Sequence, residues 1–145
     1  MKVKTVKARR VLSDATEALE KFNDKPIDVD FRHLVVLCTV LIRAVGHVLE
    51  SENENDSVAA KKSNDYYKKY IAHDNLFKGF IKSTRDSAIK EYTTYVGWAS
   101  VTTIDKDHRM EYLFKGGENE GKDFRDLMKK SVDFWNIHLT RIEEL

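Results

Sequence analysis

The sequence is short of cysteine, proline, glycine and net charge. One cysteine, Cys38, excludes an intramolecular disulfide. One proline, Pro26, leaves long helices uninterrupted nearly everywhere. Six glycines, half of them in Gly116–Gly121, confine sharp backbone turns to one place. The balance of 25 basic against 24 acidic residues gives +1, so the chain lacks the basic excess usual in nucleic-acid binders. No unbroken apolar run approaches the ~18 residues of a membrane span. A secretory leader is also missing, so a soluble cytoplasmic protein is expected.

What is present is one strongly apolar stretch, Phe31 to Leu49. Its apolar residues recur at helical spacing: Phe31, Leu34/Val35, Cys38, Leu41/Ile42, Val45, Val48/Leu49. From Leu34 to Ile42 only Thr39 is polar, which predicts a helix buried on most sides. Arg32 and Arg43 interrupt it too often for a membrane helix. Leu37 and Leu41 are expected near Ile81 and Trp135. Cys38, in the most apolar part, reads as a small hydrophobe.

At 145 residues the whole chain, 1–145, is expected to form one domain. A first helix is predicted from about Lys4 to Phe22, with the stripe Ala8, Val11/Leu12, Ala15, Ala18/Leu19, Phe22. Asn23 to Pro26 stops it, and Asp28 or Asp30 is expected to cap the next helix. The short link makes the two helices antiparallel neighbours. Glu50–Ser57 reads as an acidic loop or frayed extension, with Asp56 or Ser57 as the following cap. Helical period runs from Ala59 to Tyr92, with a break expected at Ala72–Asn75 and Asp74 or Asn75 as cap. Residues 93–103, rich in Thr, Val and aromatics, and Met110–Phe114 suit short strands. The polar turn Ile104–Arg109 lies between them. Either a small hairpin or an irregular loop accounts for residues 93–121. A last helix is predicted over about Lys122–Glu144, with either Phe134 or Trp135 facing the core. The fold class is therefore mainly all-α, four to five helices in an up-down bundle.

Arg43 and His47 are four apart and share one side of the central helix. Arginine holds phosphate through a fixed fork of donors, and histidine moves protons near neutral pH. The same two residues also fit a polar helix edge. Arg85 and Asp86 form a second candidate pair. A partly buried Arg85 calls for a carboxylate from another helix, or a phosphate ligand. No cofactor motif is present. The five histidines show no metal-ligand spacing and there is no cysteine cluster, so no metal is expected. A ligand pocket lined by Trp98 or Trp135 is a further alternative.

The span FKGFIKSTRDSAIKEY and the helical pattern around it resemble the HEPN group of small all-helical domains. That resemblance implies a bundle of about four helices, often dimeric, of the kind found in toxin–antitoxin and phage-defence systems. Active members are metal-independent ribonucleases. Their motif is an arginine, a following polar residue, and a histidine after four to six intervening residues. Arg85-Asp86 matches the first half. The histidine position falls at 90–92, where Lys90, Glu91 and Tyr92 stand. Arg43 to His47 is one residue short of the pattern. By this resemblance Arg85, Asp86, Lys90 and Glu91 are the site candidates, with Arg43 and His47 as a secondary pair. The same span, with YLFKGGENEGKDF and VDFWNIHLTRIEEL, also resembles a group of uncharacterised small bacterial proteins. The broken motif implies a non-catalytic interaction module, homodimeric and binding a protein partner. The alternative is a ribonuclease of divergent layout acting on single-stranded RNA.

Overall fold

Helix α1 (Val6–Glu20) and helix α2 (Asp28–Asn53) pack along one another in this computed structural model, which describes residues 2–102, 104–105 and 108–145. α1 turns Ala8, Leu12, Ala15 and Ala18 inward, and such small side chains let two helix backbones approach closely. A single 3-10 turn, Lys21–Asp24, and a left-handed Lys25 (φ 54°) end it before Pro26. Neither Asp28 nor Asp30 caps α2. Ile27 holds the cap position without a side-chain bond, and both acids lie in the first turn. There they complement the positive end of the helix dipole.

Of the two expectations for Glu50–Ser57, a loop or a frayed extension, the extension holds as far as Asn53, where α2 ends. The reason lies in α1. Glu52 accepts hydrogen bonds from the backbone N–H groups of Lys7 (3.1 Å) and Ala8 (3.0 Å), so it caps α1 from the neighbouring helix. The buried Asn53 amide donates to the Lys4 and Leu49 carbonyls, and its oxygen accepts from the Lys4 N–H. These bonds tie the end of α2 to the start of α1, which fixes the antiparallel arrangement.

Asp56 caps α3 (Ser57–Tyr66) by accepting from Val58 and Ala59. Wider π-type turns, Tyr67–Ile71, continue it to a break. Asp74 then caps the next segment, as expected. That segment passes through π turns Phe77–Lys82, the α-helical turn α4 (Ser83–Asp86) and π turns Ser87–Glu91. It buries Phe77, Phe80, Ile81, Thr84 and Ala88, while Tyr70 and Tyr92 are left exposed.

Residues 93–121 do contain a hairpin. β1 (Val96–Thr102) pairs antiparallel with β2 (His108–Phe114), with Val96 opposite Phe114 and Thr102 opposite His108. The turn between them was expected at Ile104–Arg109; its residues Lys106 and Asp107, and Thr103 before it, lie outside the described residues. Tyr112 stacks on Phe31 at 5.6 Å and donates to the Pro26 carbonyl, which anchors the hairpin to the start of α2. Helix α5 (Phe124–Glu143), capped by Asp123, closes the core. It buries both Phe134 and Trp135, and Trp135 Nε1 donates to the Ile42 carbonyl at 2.9 Å. The molecule is thus mainly helical with one small two-stranded sheet.

The central helix is less enclosed than its composition suggests. Phe31, Leu34, Val35, Cys38, Thr39, Ile42, Val45 and Leu49 face inward. Leu37, expected in the core, is 48% exposed, and Leu41 is only half-buried at its margin. Cys38 is buried, and burial pushes its thiol up to about 12, which makes it inert filler. Among the described residues α2 is the one helix long and apolar enough, by length and composition, to cross a membrane. The expectation that Arg32 and Arg43 would disqualify it on composition does not hold. Its inner face, however, is committed to the protein core.

Candidate functional site

α4 packs against α2, and this brings the two candidate pairs together. Arg43 and His47 project from α2 into a cleft of about 680 Å³ between α2 and α3. Ser63, Asn64 and Tyr67 face them across it, with Ile71 and Trp135 at the base. Arg43 is half-buried, and its guanidinium lies over the Phe77 ring, 5.1 Å from the centroid. Burial lowers its pKa. The positive charge of Arg85 acts in the same direction, and Tyr67, Asp86 and Glu50 oppose it.

His47 is exposed. Even so, partial burial is the first cause of a lowered pKa, followed by the charges of Arg43 and Arg85, with Glu50 and Asp86 opposing. Its ring is therefore neutral near pH 7, where an unperturbed histidine is already mostly deprotonated. Neutral imidazole can accept a proton or a hydrogen bond.

Arg85 bonds its chain neighbour Asp86, Nη1 to Oδ1 at 3.1 Å, with the two side chains 33% and 30% exposed. The expected carboxylate from another helix is not its partner. Lys90 and Glu91 stand exposed on the following π turns, and neither lines the cleft. The structure thus groups Arg43, His47, Arg85 and Asp86 and leaves Lys90 and Glu91 outside. Tyr67, Phe77 and Glu50 complete the surroundings. Glu50, three residues after His47 on α2, is legible from helical spacing; Tyr67 and Phe77 are not, because they approach Arg43 by tertiary packing. Among the described residues no group of three His, Cys, Asp or Glu side chains is placed to hold a metal.

A second feature lies away from this cleft. A groove of about 560 Å³ runs between the N-terminal half of α2, the end of the Ser87–Glu91 turns and β1. Val29, Val36, Ala88, Tyr92, Tyr95 and Trp98 line it. Tyr92 is 77% exposed. Leu37 and Ile89, next in the chain to Val36 and Ala88, are about half exposed. Trp98 belongs to this groove and Trp135 to the cleft. Comparison of the chain with protein-family models, with curated proteins and with solved structures gives no match.

Proposed function

We propose that this protein is a non-catalytic helical interaction module that pairs with a second copy of itself through the outer face of α2. The uncovered apolar face carries the reading. Val29, Leu37, Ile89, Tyr92, Tyr95 and Trp98 are each more than a third exposed. They leave on the order of 600 Å² of side chain in water, taking ~150–250 Å² for a large ring. A standard interface covers ~800 Å² per partner, so this face with its polar rim is of suitable size. The largest apolar patch on a typical monomer is ~300–600 Å², and a patch at the top of that range is often functional. With a net charge of +1, two copies do not repel one another at long range. A HEPN-like helical bundle, dimeric, cytoplasmic and serving toxin–antitoxin or defence functions, is consistent with this arrangement.

Sedimentation of the full chain at micromolar concentration tests the reading. The expected mass is twice 16.9 kDa, returning to 16.9 kDa for Leu37→Glu. A wild type that stays monomeric, or that floats with lipid vesicles through α2, removes it.

One observation favours a second reading, a metal-independent ribonuclease. Arg43 and a neutral His47 line one cleft, and Arg85 lies near enough for its charge to act on both, a set that could grip a phosphate and move a proton. Cleavage of single-stranded RNA by wild type in a chelator, lost in a folded His47→Gln variant, would put this reading ahead of the first.

A further inference from the structure

Arg43 differs from the other arginines that are partly withdrawn from water. Arg9 pairs with Glu143, Arg85 with Asp86, and Arg125 with Asp123 and the Met110 carbonyl. Arg43 is half-buried, yet among the described residues it has no carboxylate within ion-pair distance and no hydrogen-bond acceptor. The Phe77 ring face lies against it, and Tyr67 is near enough to act on its charge. A guanidinium carries five N–H donors, and none of the Arg43 nitrogens is sealed from water, so its donors open onto the cleft, where an acceptor can reach them. The space in front of it is shaped by small residues. Gly46 has no side chain, and a Cβ there would come within 3.2 Å of Arg43 Nη1 and of the Trp135 ring. Ala60 and Ser63 face it from α3. The resulting cleft has the size of a small-molecule site, and Leu49, Ile71 and Trp135 supply apolar walls.

We propose that the α2–α3 cleft binds a small organic molecule through a single oxyanionic head, a carboxylate or a phosphate, that forks onto Arg43. The other charged groups of the cleft set the limit on the ligand. Lys61 is already paired with Asp65 at 2.7 Å. Glu50 and Glu54 are exposed on the lining. One anionic head can reach Arg43 past two carboxylates, whereas a chain of phosphates would meet repulsion along its length. A compact organic anion therefore fits better than a nucleic-acid strand. Ser63, Asn64 and the neutral His47 ring are placed to hydrogen-bond the rest of the molecule. The site is independent of the apolar face proposed for pairing.

Amide-resolved NMR titration of the full chain with benzoate, with inorganic phosphate and with a short single-stranded oligonucleotide tests the proposal. Saturable shifts are expected at Gly46, Ser63 and Asn64 with at least one of the two small anions. The anion that saturates names the head group. Arg43→Gln should weaken that binding about tenfold or more, while Arg109→Gln, on the exposed hairpin, leaves it unchanged. Without ligand, Arg43→Gln should melt within a few degrees of wild type, because no ion pair is broken and only the contact with the Phe77 ring is lost. The ligand should raise the melting temperature of wild type and not of the variant. No saturation by either small anion, binding indifferent to Arg43→Gln, or tighter binding of the oligonucleotide in the cleft would each overturn the assignment.

Discussion

Arg85 and His138 show how a residue's partner decides what its removal does. Arg85 sits a third exposed beside the Asp86 it bonds. Pairs of this kind contribute about 0–1 kcal/mol, because both charges stay in contact with water. Denaturant titration of Arg85→Ala should therefore show a loss below ~1 kcal/mol, whereas a buried pair broken across two helices would lose ~3–5 kcal/mol. His138 is the opposite case. It is buried, its Nδ1 lies 2.7 Å from the Tyr66 hydroxyl, and its ring edges against Phe134. Burial lowers its pKa, the charge of Arg141 lowers it further, and Asp74 opposes them. The unfolded chain then binds a proton more readily than the folded one. Stability is full above the unfolded value of ~6.5 and falls as the pH drops below it toward the lowered folded value. His47, also lowered, acts in the same direction. Melting followed from pH 7.5 down to about 5 should show this decline, and His138→Gln should flatten it. An unchanged slope in that variant would assign the decline to other groups.

At the scale of the element, α2 has two faces with different roles. Ile42 is 1% exposed and lies under the Trp135 indole that bonds its carbonyl. Ile42→Ala should cost about 2–5 kcal/mol through lost transfer energy and the cavity left behind. Leu37→Ala should change the stability of a single chain by no more than ~0.5 kcal/mol. Equal losses from the two would show that the outer face is packed in solution. This asymmetry marks the boundary of what the sequence discloses. The helical stripe Phe31, Val35, Cys38, Ile42, Val45, Leu49 is legible because burial follows the 3.6-residue period. The burial of Leu37 is misjudged because an apolar side chain reads the same whether it meets its own core or a second molecule. The extension of α2 to Asn53, one of two readings open for Glu50–Ser57, is decided by contacts outside the helix. Glu52 and Asn53 look like loop residues, and only their bonds to Lys4, Lys7 and Ala8, more than forty positions away, make them helical. The hairpin is legible in its β-branched and aromatic composition. The pairing of Arg43 and His47 with Arg85 and Asp86 is not, since it depends on how α4 packs against α2.

At the scale of the whole molecule, the core lies to one side of its most apolar helix. α1, α5 and the segment from Phe77 to Ala88 cover the inner face of α2, and the groove beside Tyr92 and Trp98 leaves the outer face open. If two chains close over that face, folding and association are linked, and stability depends on protein concentration. The wild-type melting temperature should then rise steadily as concentration increases from micromolar toward a hundredfold higher. In a twofold interface each substitution occurs twice, so Leu37→Glu would place two carboxylates in one apolar contact. That variant should melt at a temperature independent of concentration. Its value should match the dilute limit of wild type, because Leu37 supports little packing within its own chain. Calorimetry at three concentrations of each protein distinguishes the possibilities. A wild-type melting temperature that does not move with concentration argues for a monomer. A Leu37→Glu variant that melts several degrees below the dilute wild type would return Leu37 to the core and leave the outer face of α2 without a role in pairing.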